Sequence, residues 1–362
     1  MSAPRLEIDL EAITHNARTL VSQLQPLGIA VTGIAKASLG SPGVGAAMLR
    51  GGVSGLGDSR VENLARLRAG GLVTPTTLVR SPMLSQADQV VRTADTSLNT
   101  EAVVIDSLAA AALSQGTTHA VVVMVELGDL REGVLVADVL DLCRHIERTP
   151  GVELAGLGTN LACQSGVAPD QLKMDELSRL VEKVEVGCGR SLSLVSGGNS
   201  ANLGWALSTS DPGRINDLRL GEAILLGTEP LHRRVLDGLR TDAFTLVAEV
   251  IEVKTKPARP WGDTAQAAFG SPPVRRDGEL VRQAIVALGR QDTDPDSLTP
   301  PAGITMLGMS SDHLVLDLGD HDASVGAELA FGLGYGALLR AATSPFVTPV
   351  EVRPQDVEPL TG

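Results

Sequence analysis

From residue 28 onward, short apolar runs alternate with amphipathic stretches of helical period. The runs are AVTGIAK (30–36), VSGLGDS (53–59), TTLVRSP (76–82), TSLN (96–99), HAVVVMVEL (119–127), VELAGLGTNL (152–161), SLSLVSGGN (191–199) and DLRLGEAILLG (217–227). Between most of them lies a candidate helix. One covers 101–114; another covers 171–186, behind the capping candidate Asp170. Eight strands alternating with helices predict an α/β fold of the (β/α)8 TIM-barrel type. A doubly wound open sheet is the alternative. It usually has fewer strands and carries a glycine fingerprint after the first, and none follows the first run here.

Near residue 240 the rhythm changes. TDAFTLVAEVIEVK, LVRQAIVALGR, GITMLGMSSDHLVLDLG and GAELAFGLGYGALLR read as strands with hardly any helix between them, so a mostly β domain follows the barrel. The boundaries expected are 1–235 for the barrel, whose first strand is free to pack with the β domain, 236–348 for the β domain, and 349–362 for a loose tail. The Pro/Gly-rich segment 254–278 reads as a long loop.

A length of 362 residues suits two domains, and a hydrophobic fraction of 43% supplies their cores. With only 2% aromatic residues, those cores must be built from Val, Leu, Ile and Ala. The formal net charge of −13 repels phosphate backbones and argues against nucleic-acid binding. Cys143, Cys163 and Cys188 are odd in number and far apart; they give no metal spacing and suit a reducing cytoplasm. The opening MSAPRLEIDL does not read as a signal peptide, and no apolar run approaches the ~20 residues of a membrane span.

In such a barrel the active site lies at the C-terminal ends of the strands. The runs end in or near Lys36, Asp58, Arg80, Asn99, Glu126, Asn160, Ser196 with Asn199, and Glu222. Strand ends meet water, so a polar residue there needs no function. Lys36 differs, because a lysine directly after GIA on the first strand sits at the barrel mouth. There an amine in a partly desolvated pocket can attack an aldehyde. The stretch SGGNSANL (196–203) closes the seventh strand with two glycines and Asn-Ser. It is either a tight turn or an anion cradle of the kind found after the last barrel strands. Arg219, on the eighth strand, either serves a ligand or pairs with an acidic neighbour.

Taken together, these residues resemble the alanine racemase family of pyridoxal-phosphate (PLP) enzymes, fold type III. The opening RLEIDLEAITHNARTL, the lysine near 36, the Asn-Ser loop, the Arg-x-Gly on the last strand and the later β domain follow in the family's order over roughly residues 4–347. GDSRVENL, DLREGVL, SGGNSANLGW, LRLGEAILLG, DAFTLVAEVIEVK, LGRQDTDP, SSDHLVLDL and YGALLRAATSPF look like its ornithine racemase branch. The resemblance implies a PLP-dependent racemase of a basic amino acid, ornithine first, working as a homodimer with shared active sites. It implies Lys36 as the Schiff-base lysine. Ser200 and the amides of Gly221 and Glu222 match the family's phosphate contacts, with Ser196 and Asn199 as further cofactor-binding candidates. Arg219 would face the pyridine nitrogen, Arg131 the substrate carboxylate and Tyr335 the phosphate, with Asn160 where the family has a histidine beside the ring. An arginine donates to the ring nitrogen without protonating it. The ring is then a weaker electron sink, which limits side reactions.

Three departures stand out. The family's carbamylated lysine falls on Met124, leaving Glu126 or Asp129 to orient Arg131. Its phosphate tyrosine falls on Gly40. Its second catalytic base, a tyrosine, falls on Arg290, and the chain's single tyrosine is Tyr335. Candidates for the missing base are Arg290, Asp292, Asp312 and His313. Arginine is a poor base, and a His or Asp suits the work better. For a substrate ammonium, the carboxylates on offer are Asp58, Asp129, Asp292 and Asp294. A decarboxylase of basic amino acids and a non-catalytic PLP carrier are the rival functions; a carrier has no need of the β domain.

Overall fold

The computed structural model describes residues 2–269 and 280–352. The chain divides into two units, residues 12–241 and residues 1–11 with 242–362. In chain order the strands are β1 (Arg5–Asp9), β2 (Ala30–Ile34), β3 (Gly55–Asp58), β4 (Thr76–Leu78), β5 (Thr96–Asn99), β6 (His119–Val125), β7 (Val152–Thr159), β8 (Leu194–Ser196) and β9 (Asp217–Leu220). There follow β10 (Phe244–Pro257), β11 (Leu280–Val286), β12 (Leu298–Thr299), β13 (Thr305–Met309), β14 (Leu314–Asp317), β15 (Glu328–Leu333) and β16 (Thr348–Val352).

Strands β2 to β9 pair in sequence order, all parallel, and β9 closes on β2. Each of the eight apolar runs supplies one strand, so the fold is the barrel that the periodicity predicts. The run HAVVVMV of β6 is buried almost throughout, as a strand covered on both faces must be. Leu98, Val122 and Met124 form a core cluster with Val79, Ala155 and Leu194 against it. Aliphatic and thioether side chains thus fill the space that aromatics leave. The helix at Gln171–Cys188 starts where expected, with the Asp170 carboxylate accepting the Lys173 amide at 2.9 Å.

The other unit is an eight-stranded sheet, ordered β12-β15-β10-β11-β14-β13, with β1 pairing antiparallel to β10 and parallel to β16. The first strand of the chain therefore belongs to the β unit. Thr348–Val352 also departs from the expected loose tail, because its backbone groups are taken up by β1 over Arg5–Asp9. The remainder, 353–362, lies outside the described residues. Of the expected loop 254–278, residues 254–257 extend β10, and 270–278 lie outside the described residues. No helix among the described residues is long and apolar enough to cross a membrane.

One buried pair gives the barrel unit a pH dependence. His119, 2% exposed at the start of β6, shares a 2.8 Å hydrogen bond with the Ser97 hydroxyl, and burial pushes its pKa down to about 4. The unfolded histidine takes up a proton near pH 6.5 and the folded one does not, so acid favours unfolding. This contribution is complete above pH 6.5 and is lost as pH falls toward 4, an effect on the order of 3 kcal/mol. Asp58, raised to about 6 by burial, acts in the opposite sense between pH 3.8 and 6. Urea midpoints of wild type and His119→Asn across this range should separate the two. The variant is expected to lose the stability gain between pH 4 and 6.5.

Candidate active site

Strand β2 delivers Lys36. The apolar run ends at Ile34 and the chain turns through a single 3₁₀ turn, Lys36–Ser38. The next barrel strand, β3, ends on Asp58, which is fully buried. Asp58 Oδ1 accepts the Arg60 amide at 2.9 Å and the Asn63 side-chain amide at 3.0 Å. Its Oδ2 is buried with no hydrogen-bond partner among the described residues. Burial pushes the Asp58 carboxyl up to about 6, against the pull of those bonds and of the nearby Lys36 charge. Glu222 is raised too, again by burial, with Arg233 and Lys36 opposing. Lys36 thus lies within electrostatic reach of two carboxylates, the buried Asp58 and the part-buried Glu222. Gly40, in the place of the expected phosphate tyrosine, has φ +63°, and the Asn63 carbonyl oxygen lies 2.6 Å from where a Cβ would sit. A side chain has no room there.

On the neighbouring strand, β9, which pairs with β2, stands Arg219, opposite Thr32 and 6% exposed. Its Nη1 donates to the Ser196 hydroxyl, and its Nη2 donates to the Thr159 carbonyl at 2.7 Å and to Asn160 Oδ1 at 3.4 Å. Among the described residues none of these bonds engages Nε, and Asn160 Nδ2 is buried without a partner. Ser200 opens the turn after β8, and its hydroxyl accepts the Ala223 amide at 3.2 Å, tying that turn to the segment 221–223. Ser196 and Asn199, both expected to touch a cofactor, are bonded within the protein. Ser196 bridges Arg219 to Asp217. Asn199 Nδ2 donates to Asn160 Oδ1, the Leu161 carbonyl and Cys163 Sγ, while its Oδ1 caps the turn at Ala201. These two build the loop. Glu222 has its carboxylate taken by Arg233, so its charge is countered beside the backbone amide that the resemblance singles out.

Arg131 lies in the loop after β6. Its expected supports are not the ones it has. Met124 packs in the barrel core. Glu126 accepts the amides of Gly128 and Leu130. Asp129 accepts the amides of Cys163, Gln164 and Ser165 at 3.1, 2.9 and 3.1 Å. Although burial works to raise Asp129, these amides together hold its carboxyl below the ordinary range. It anchors the loop 163–165. The carboxylate that binds Arg131 is Glu132, its sequence neighbour, which the motif reading passed over. Asp129→Ala should cost about 1–2 kcal/mol, because three part-buried amides lose a charged acceptor. A fall in the thermal midpoint, with earlier proteolysis near 163–165, would check this.

In the β unit, Arg290, Asp312 and His313 come together. The amides of Arg290 and Gln291 donate to the carbonyls of Ser310 and Ser311 at 2.9 and 3.1 Å. Gly289 lies so close to the opposite turn that a Cβ would come within 2.3 Å of Asp312 Cα. His313 Nδ1 is 2.8 Å from Asp312 Oδ1, an exposed pair. Arg290 stacks over the Phe269 ring at 4.9 Å and donates to the Met309 carbonyl at 3.3 Å. Asp292, a candidate for both base and substrate carboxylate, accepts the Gly289 amide at 3.0 Å and the Ser344 hydroxyl at 3.1 Å, and so holds a turn. Asp294 accepts the Asp296 amide and the Ser297 hydroxyl as a cap. Tyr335 begins the helix Tyr335–Thr343.

Residues 8–229 match the model of the alanine racemase N-terminal domain. The chain belongs to the alanine racemase family. A lysine racemase from Thermotoga maritima is 37% identical over 97% of this chain and 99% of its own length. An ornithine racemase from Acetoanaerobium sticklandii is 34% identical over 95% and 98%. This member of the family is therefore a PLP-dependent amino acid racemase in enzyme class. Among solved structures, an alanine racemase from Streptomyces lavendulae superposes with a TM-score of 0.74 at 21% identity, covering 97% of this chain and 98% of that one. A D-threonine aldolase from Filomicrobium marinum gives 0.74 at 17%, covering 98% and 92%. Both show the shared fold, a barrel followed by a mostly β domain.

Proposed function

We propose that the chain interconverts the L and D forms of a cationic amino acid, ornithine first and lysine second. The observation that carries this reading is Asp58. Of the four aspartates offered by the sequence, Asp129, Asp292 and Asp294 have their oxygens bound by the protein's own amides and hydroxyls. Asp58 alone of the four keeps a buried oxygen with no hydrogen-bond partner. Once Lys36 is engaged by a cofactor carbonyl, its charge no longer offsets Asp58, and a substrate ammonium would supply the missing counter-charge. The near-full-length lysine and ornithine racemase relatives support the same class.

The donor set fits pyridoxal phosphate. Lys36 would bind its aldehyde, Arg219 Nε would face the ring nitrogen, and Ser200 with the amides of Gly221 and Glu222 would receive the phosphate. The buried, unpartnered Asn160 Nδ2 is a further donor beside Arg219. The bound cofactor supplies an electron sink for the pair left when the substrate Cα–H bond breaks. Arg131, held by Glu132, would orient the substrate carboxylate. Lys36 would move the Cα proton on one face. On the other we assign His313, oriented by Asp312, with Arg290 beside it. In the family's arrangement these would come from a second copy, so we expect a homodimer with a two-fold interface. Light scattering should give twice the chain mass. A monomer with full activity at nanomolar dilution would count against it.

The test is to incubate purified, PLP-loaded protein with L-ornithine, L-lysine and L-alanine separately and follow chirality. Loss of optical rotation with ornithine or lysine, without carbon dioxide release, supports the reading. Carbon dioxide release would indicate the decarboxylase, and no turnover of any amino acid the carrier.

A further inference from the structure

Behind Arg219 lies a second charge that the site described above does not use. Asp217 sits two residues earlier on β9 and is 5% exposed. Alternation along a strand puts residues i and i+2 on the same face, and both side chains take part in one bonded network. Asp217 Oδ1 accepts the Thr32 hydroxyl at 2.7 Å, and Oδ2 accepts the Ser196 hydroxyl at 2.5 Å. The same Ser196 oxygen accepts Arg219 Nη1 at 2.5 Å. Neighbouring strands β2, β8 and β9 thus converge on one carboxylate. The carboxylate and the guanidinium form no direct ion pair among the described residues, and Ser196 stands between them.

This arrangement has a direction. A hydroxyl has one proton. With that proton committed to Asp217, the oxygen can only accept from Arg219. Arg219 Nη2 is meanwhile fixed on the Thr159 carbonyl at 2.7 Å. Both terminal nitrogens are then anchored, the guanidinium plane is set, and Nε–H and one Nη1–H are the donors left over. Burying an arginine is costly unless its charge is countered and its donors are satisfied. Asp217 counters the charge, and Ser196 transmits it.

We propose that Asp217 is a positioning residue for Arg219, acting through Ser196 to fix the guanidinium plane and its Nε–H donor. For its consequence on the reaction this rests on the PLP-racemase reading; the geometry itself does not. Neutralising Asp217 frees the Ser196 proton to turn, releases Nη1 and lets the donor toward the cofactor ring nitrogen wander.

The experiment uses the full-length protein in two forms. In the cofactor-free form, the Arg219 Nε–H resonance, assigned by its loss in Arg219→Lys, should exchange slowly with water in wild type. It should broaden or vanish in Asp217→Asn and in Ser196→Ala, and persist in Ser196→Thr, which keeps the hydroxyl. In the PLP-loaded form, Asp217→Asn and Ser196→Ala should each shift the visible absorption maximum and lower kcat about 10- to 100-fold with KM little changed. The double variant should be no worse than Ser196→Ala alone, because residues acting in one chain are non-additive. Should Asp217→Asn not fold, the Ser196→Ala and Ser196→Thr pair decides the matter by the same readouts. An unchanged resonance, spectrum and kcat in the variants, with only the thermal midpoint lowered, would overturn the proposal, as would additive effects in the double variant. Wild type that binds no PLP would sink the functional reading and leave the resonance arm to judge Asp217 by itself.

Discussion

Lys36→Ala is expected to lower racemisation by at least ~10⁴-fold, the scale on which removal of a covalent or acid–base group acts. The protein should also lose the visible absorption that wild type acquires on addition of PLP. Both losses follow from one position. Lys36 is the first polar residue after the β2 run and lies within electrostatic reach of the carboxylates of Asp58 and Glu222. In the proposed reading, alanine removes both the amine that would bind the aldehyde and the base that would move the proton. The variant should still fold, because Lys36 lies in a one-turn connection outside β2. A small external amine added to the variant should restore part of the activity, whereas the same amine should do little for wild type. A wild-type protein that stays colourless in excess PLP would refute the assignment of Lys36.

The barrel was legible because its signal is repeated. Eight apolar runs, each closed by a polar residue, leave few alternatives, and Lys36 and Arg219 could be placed at strand positions from the pattern alone. The β unit was legible in class but not in membership. Residues Arg5–Asp9 fall within the expected barrel span, free to pack with the β domain, and they pair with β10 and β16. No local pattern reveals a partner more than two hundred residues away. The polar residues of the site were harder for a different reason. Asp129, Asp292, Ser196 and Asn199 have the right chemistry for ligands, but their bonds go to the protein's own backbone and side chains. Chemistry by residue type cannot distinguish a carboxylate facing a substrate from one that staples a loop, since the choice depends on which amides lie nearby in space. Glu132 illustrates the converse. Its signal was present as a charge next to Arg131, but larger motifs took precedence. Asp217 was visible too, two residues before Arg219, as the acidic neighbour that such a cation needs.

Ornithine or lysine should exceed alanine in kcat/KM on the order of 10³-fold or more, and Asp58→Asn should erase most of that preference. Discrimination of this size arises when a substrate lacking a polar group leaves a buried partner unpaired, and a buried charge raises the penalty. Asp58 meets that condition, being fully buried with Oδ2 unpartnered and Oδ1 held in place by Arg60 and Asn63. Asparagine keeps the shape and removes the charge, so the fold should survive. The loss should fall on cationic substrates and spare alanine. The pH profile gives a second check. Burial raises the Asp58 carboxyl to about 6, so the carboxylate is present above that pH and disappears below it. For ornithine, kcat/KM should therefore fall on the acid side with an apparent midpoint near 6. For alanine, and for the Asp58→Asn variant acting on ornithine, that limb should be missing. Alanine turning over as well as ornithine in wild type would refute the ammonium role of Asp58. An acid limb that persists unchanged in Asp58→Asn would move the titration to another group.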